Sequence, residues 1–218
     1  MLSQRQLFLQ HVAQTSPEPL ALEIEKAEGI YLYDTSGKKY IDLIAGISVS
    51  NIGHCHPNVV NAIQQQAKTY MHTLVYGEFI QSPQVQLAKY LSDLLPENLN
   101  SIYFTNSGAE ATEGAMKLAK RFTGKPEIIS CVNAYHGSTQ GALSLLGDEF
   151  FKSAFRPLLP DTRQIRYNNL EDIELITERT AAIFLESVQA EAGVIAPTKE
   201  FLIEVRKKCN ETGTLLVL

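Results

Sequence analysis

The 218-residue chain has little of what marks several protein classes. It has three cysteines, Cys55, Cys131 and Cys209, an odd number with no CxxC pair. That argues against a disulfide framework or a structural zinc site and for reduced thiols. No run approaches the ~20 apolar residues a membrane-spanning helix needs. The opening MLSQRQLFLQHVAQTSPEPL lacks a long apolar core and a small-residue cleavage site, so no signal peptide is expected. Basic residues are not in excess: 19 Lys and Arg stand against 24 Asp and Glu, a net charge of −5. A protein gripping nucleic-acid phosphates would want a basic face. Neither GxGxxG nor GxxxxGKS/T occurs, which ranks a generic nucleotide-binding domain low. There is no internal repeat and no low-complexity linker. With 44% apolar and 20% charged residues, the expectation is a globular cytoplasmic protein with no nucleic-acid or membrane partner.

Residues 1–20 read as a short amphipathic helix and a Pro-containing turn. Three short strands follow, Leu22–Lys26, Ile30–Asp34 and Lys39–Leu43, punctuated at Glu28-Gly29 and Ser36-Gly37. They predict a small antiparallel meander outside the main sheet, in an N-terminal segment spanning 1–52. From residue 53 the pattern changes. Helices are predicted at Pro57–Thr69, Pro83–Leu95, Gly108–Phe122 and Phe201–Asn210. Short apolar strands are predicted at Ser101–Thr105, Ile128–Val132, Ala181–Leu185 and Thr214–Leu218. Such alternation implies an α/β fold with a mostly parallel sheet covered by helices over 53–218. The last strand pattern has nothing after it. Functional residues in open α/β sheets sit just past strand carboxyl ends, so a truncated domain is expected.

Three clusters lie at such strand ends. Asn106-Ser107-Gly108-Ala109-Glu110-Ala111-Thr112-Glu113 opens a helix, where free N–H groups and the dipole bind an anion. Gly108 lets a phosphate approach the backbone, and Ser107 offers a hydroxyl. The same residues also read as a plain capping box, Ser107 with Glu110. Asn133-Ala134-Tyr135-His136-Gly137-Ser138-Thr139 could form a shelf for a ring, or a turn with a solvated His136. Glu186-Ser187-Val188-Gln189-Ala190-Glu191 sets two carboxylates around a glutamine, or forms an acidic surface loop. Gly53-His54-Cys55-His56-Pro57 offers three adjacent metal-ligand types. Neighbouring side chains rarely aim at one ion, so a helix entry is preferred.

In this order, and with Gly29-Ile30-Tyr31-Leu32-Tyr33-Asp34 ahead of them, the motifs resemble those of the class III aminotransferases, a group that includes the acetylornithine, ornithine and 4-aminobutyrate enzymes. The resemblance covers about Glu23 to Leu218. It implies a fold-type I transferase dependent on pyridoxal 5'-phosphate (PLP), working as a homodimer on a small-molecule amino donor and a 2-oxo acid. By position Ser107, Gly108 and Ala109 look like the phosphate cradle and Tyr135 like the aromatic on the pyridine ring. His136, Glu186 and Gln189 resemble residues near the cofactor, and Ser138 and Glu191 resemble substrate-facing ones.

Three departures stand out. Ser187 and Ala190 replace a Pro and a Gly of the usual loop, which alters its stiffness. Ser138 stands where family members commonly carry an arginine that grips a substrate carboxylate bidentately. The Schiff-base lysine and the ring-nitrogen aspartate would both fall beyond Leu218, so the chain alone is expected to be inactive. Lys117 and Lys120 are expected to point away from the ring. An aminomutase or epimerase of the same family, or a non-catalytic PLP-fold binding protein, would share these front motifs.

Overall fold

A computed structural model describes residues 2–74 and 77–218. The chain divides into two compact units, residues 1–87 and 88–218.

In the first unit, α1 (Gln4–His11) is capped by Ser3, which forms a reciprocal capping box with Gln6. Strands β1 (Ile24–Glu28), β2 (Tyr31–Asp34) and β3 (Lys39–Ile41) form the expected antiparallel meander as a separate sheet. Asp34 organises the β2–β3 turn. Its carboxylate accepts from Ser36 N, Ser36 Oγ, Lys38 N and Tyr40 Oη, and these donors hold its pKa down to about 2. The irregular turn α2 (Ala45–Ser48) follows. A ring nitrogen of His54 lies 2.7 Å from Asp42 Oδ2, while His56 begins α3 (Pro57–Thr69), with Pro57 at its first position. Helix α4 (Ser82–Leu94) spans the division.

The second unit is built on four parallel strands in the order β5-β4-β6-β7. These are β4 (Glu127–Cys131), β5 (Thr162–Ile165), β6 (Thr180–Phe184) and β7 (Leu215–Val217). Every residue of β4 and β6 is buried, because helices cover both faces. Ile129 and Ile183 join Phe201, Val205 and Cys209 of α8 (Lys199–Thr212) on one face. Ile128, Ala182 and Phe184 join Met116 and Ala119 of α5 (Gly108–Thr123) on the other. Alternate strand residues thus serve opposite cores. Two shorter helices, α6 (Gln140–Ser144) and α7 (Glu149–Lys152), lie between β4 and β5. Glu127 is buried but paired: Thr180 Oγ1 donates to it at 2.6 Å and Arg163 Nε lies at 3.2 Å. Burial raises the Cys131 thiol to about 12 and the Cys209 thiol to about 11, so both act as small core groups.

Two expectations fail. Ser101–Thr105 is not a strand, and Tyr103 is 77% exposed. Among the described residues no neighbouring strand pairs with it, and an apolar run becomes a strand only through its ladder. Conversely, β5 carries Thr162, Arg163 and Gln164, polar residues that suit an edge strand and hide it from a search for apolar runs. No helix among the described residues is long and apolar enough to cross a membrane.

Candidate functional site

The start of α5, the loop after β4 and the loop after β6 meet at the carboxyl end of the sheet in the second unit. Ser107 is the N-cap of α5, with extended backbone, and its Oγ accepts from Glu110 N at 3.1 Å. Glu110 reaches back past Ser107 and accepts from Asn106 N and Nδ2. The first N–H groups of a helix have no intrahelical acceptor, and Gly108 and Ala109 are at that place. A Cβ on Gly108 would meet nothing within 4 Å, so the space over this turn is open.

The loop after β4 is fastened to α5. Gly137 (φ 120°) sits so close that a Cβ on it would lie 2.7 Å from Ala109 Cβ. Thr112 Oγ1 donates to the His136 carbonyl at 2.9 Å. Glu113 Oε1 accepts from Thr139 Oγ1 at 2.7 Å and from Gly141 N at 2.8 Å. Ala109, Thr112, Glu113 and the buried Met116 follow the i, i+3, i+4, i+7 spacing of one helix face. Thr112 and Glu113 stand within the motif at the start of α5, but the sequence assigned neither a role. Polar residues on a helix look solvated, and only the face they share with Ala109 and Met116 could have singled them out.

Tyr135 is half exposed, and its N–H donates to Glu186 Oε2 at 3.2 Å. His136 is not solvated. It packs edge-on to Phe184 with ring centroids 5.9 Å apart, and its Nε2 is buried without a partner among the described residues. Burial lowers its pKa to about 4, so it is neutral near pH 7.

The loop after β6 is anchored rather than free. Tyr167 Oη donates to the Glu186 carbonyl at 2.8 Å. Burial raises the Glu186 carboxyl pKa, while N–H groups of Tyr135 and Ala190 pull it back. Gln189 is 1% exposed. Its Nε2 donates to the Val132 carbonyl at 3.0 Å, and its backbone pairs with Ile195. The loop therefore braces the end of β4. Tyr135, Ser138 and Glu191 line one cavity of about 590 Å³, together with Leu143, Phe151 and Phe155. Lys117 and Lys120 line a different cavity, beside Tyr103 and Leu118.

Fold and site together define a parallel α/β domain in which a helix start packs against the loop carrying Tyr135, and that loop lines a cavity. The family model for aminotransferase class-III matches residues 12–218, and the chain belongs to that family. It is 42% identical over 194 residues to acetylornithine aminotransferase of Methanopyrus kandleri, covering 88% of this chain and 49% of that protein. Among solved structures, adenosylmethionine-8-amino-7-oxononanoate aminotransferase from Methanocaldococcus jannaschii superposes with a TM-score of 0.90 at 28% identity, over 97% of this chain and 53% of that one. Taurine:2-oxoglutarate aminotransferase from Bifidobacterium kashiwanohense, solved with PLP and glutamate, gives a TM-score of 0.87 at 30% identity over 96% of this chain and 53% of that one. The chain spans about half the length of the curated relatives it matches.

Proposed function

We propose that this chain contributes the phosphate grip and one ring face of a PLP site for moving an amino group between an amino donor and a 2-oxo acid. The observation that carries the reading is the contact of Gly137 with Ala109, which sets the Tyr135 loop directly beside the start of α5. The residues fit the group. Open space over Gly108 admits a phosphate to the first-turn amides, and a half-exposed aromatic stands on the adjoining loop.

When bound, PLP would supply an electron sink for bond breaking at the substrate's amino carbon. The chain's own residues bind and orient it. Gly108 and Ala109 N–H groups and the Ser107 hydroxyl would hold the phosphate, with the α5 dipole assisting. Tyr135 would offer its ring face to the cofactor, and Glu186 fixes the Tyr135 backbone. His136 is neutral near pH 7, so it adds no positive charge to the Tyr135 loop. Gln189 keeps the following loop braced. Ser138 and Glu191 face the amino substrate across their shared cavity.

No lysine lines that cavity among the described residues. In this reading the chain binds cofactor but does not turn over, and the complete transferase is a homodimer. Supplying PLP, an amino donor and a 2-oxo acid should give no exchange of amino groups. Sustained formation of the new amino acid, abolished by borohydride, would overturn the inactivity.

A further inference from the structure

Helix α6 begins without a cap of its own. Thr139 stands at its N-cap position with extended backbone, yet makes no side-chain capping bond. Its hydroxyl instead donates to Glu113 Oε1. That same oxygen accepts from Gly141 N at 2.8 Å and Ala142 N at 3.3 Å. Glu113 of α5 thus caps α6 from a neighbouring helix, placing negative charge where first-turn N–H groups need an acceptor. Gly141 is required for this: a Cβ there would run into the Glu113 carboxylate.

The loop that runs into α6 carries Tyr135, His136, Gly137 and Ser138, with Tyr135 directly ahead of its first anchor. Upstream it is held by Thr112 on the His136 carbonyl, and downstream by Glu113 on Thr139 and α6. Both holds come from the face of α5 that starts at Ala109. We infer that Glu113 is a positioning residue, fixing the Tyr135 loop relative to the start of α5 and so setting the angle and spacing between ring face and phosphate turn. It touches neither group, and the inference rests on the proposed PLP site.

The test compares two probes on the 218-residue chain by calorimetry: inorganic phosphate, and pyridoxamine 5'-phosphate, which lacks the aldehyde that reacts with surface lysines. Glu113→Ala frees three donors and should weaken pyridoxamine 5'-phosphate by about tenfold while phosphate affinity stays within about twofold. Glu113→Gln keeps an acceptor oxygen and should restore most of the loss. Thr139→Val removes one donor without altering α5 and should give a smaller loss in the same direction. Amide hydrogen exchange of residues 136–142 should accelerate in Glu113→Ala and not in Glu113→Gln. Equal weakening of both probes, failure of Gln to rescue, or unchanged exchange would overturn the inference. Should the unaltered chain bind neither probe, the PLP reading fails, and the exchange comparison alone decides whether Glu113 holds the loop.

Discussion

Ala109 and Gly137 approach so closely that one methyl group on Gly137 would fall 2.7 Å from the Ala109 Cβ. Two segments 28 residues apart in the chain, the start of α5 and the loop carrying the half-exposed Tyr135, are thereby held as one surface. Gly137→Ala should disrupt this surface from within. The added methyl cannot be accommodated at φ 120° without moving backbone, and overpacking of this kind costs about 1–3 kcal/mol. Urea denaturation should show that loss. An unchanged midpoint would mean that the contact is looser than described.

Gly108→Ala should behave in the opposite way. The new methyl meets no protein atom, and alanine is the better helix former, so stability should hold or rise by up to about 1 kcal/mol. The methyl would occupy the space over the first-turn amides. Loss of inorganic phosphate binding with unaltered denaturation is expected. Retained binding would place the anion elsewhere.

Burial keeps His136 at a pKa of about 4, against about 6.5 in an unfolded chain. The unfolded state therefore takes up the proton first as pH falls. The contribution is whole above about pH 6.5, is lost on going down toward about pH 4, and changes no further below that. It amounts to about 3 kcal/mol. His136→Leu should remove this dependence, so the variant should lose less stability than the parent between pH 7 and 4. Parallel pH curves would contradict the buried, neutral histidine.

Gln189 is a strut as well as a loop residue. Gln189→Ala leaves the Val132 carbonyl without its donor and should cost about 1–3 kcal/mol. Limited proteolysis should cut within residues 186–195 more readily. Unchanged protection would show that the backbone pairing with Ile195 suffices alone.

Much of the second unit was readable residue by residue. The apolar runs at Ile128 and Ala181 sit in fully buried strands, and in the first unit Pro57 marks the start of α3. The three site clusters were visible because each follows a strand or opens a helix. What escaped depends on partners distant in sequence. Thr162, Arg163 and Gln164 become a strand only by pairing with β4. Tyr103 and its neighbours have the residues of a strand but no ladder among the described residues. His136 reads as a turn residue until Phe184, 48 positions later, is seen against it. Glu113 reads as an exposed helix glutamate until Gly141 is placed beside it.

One surface of the second unit is proposed to hold both phosphate and ring. Calorimetric titration of the chain with pyridoxamine 5'-phosphate, repeated for Gly108→Ala and Tyr135→Ala, tests it most directly. One saturable site is expected, which inorganic phosphate displaces and both substitutions weaken, each by about tenfold or more. Absence of saturable binding, or binding indifferent to both substitutions, would contradict it.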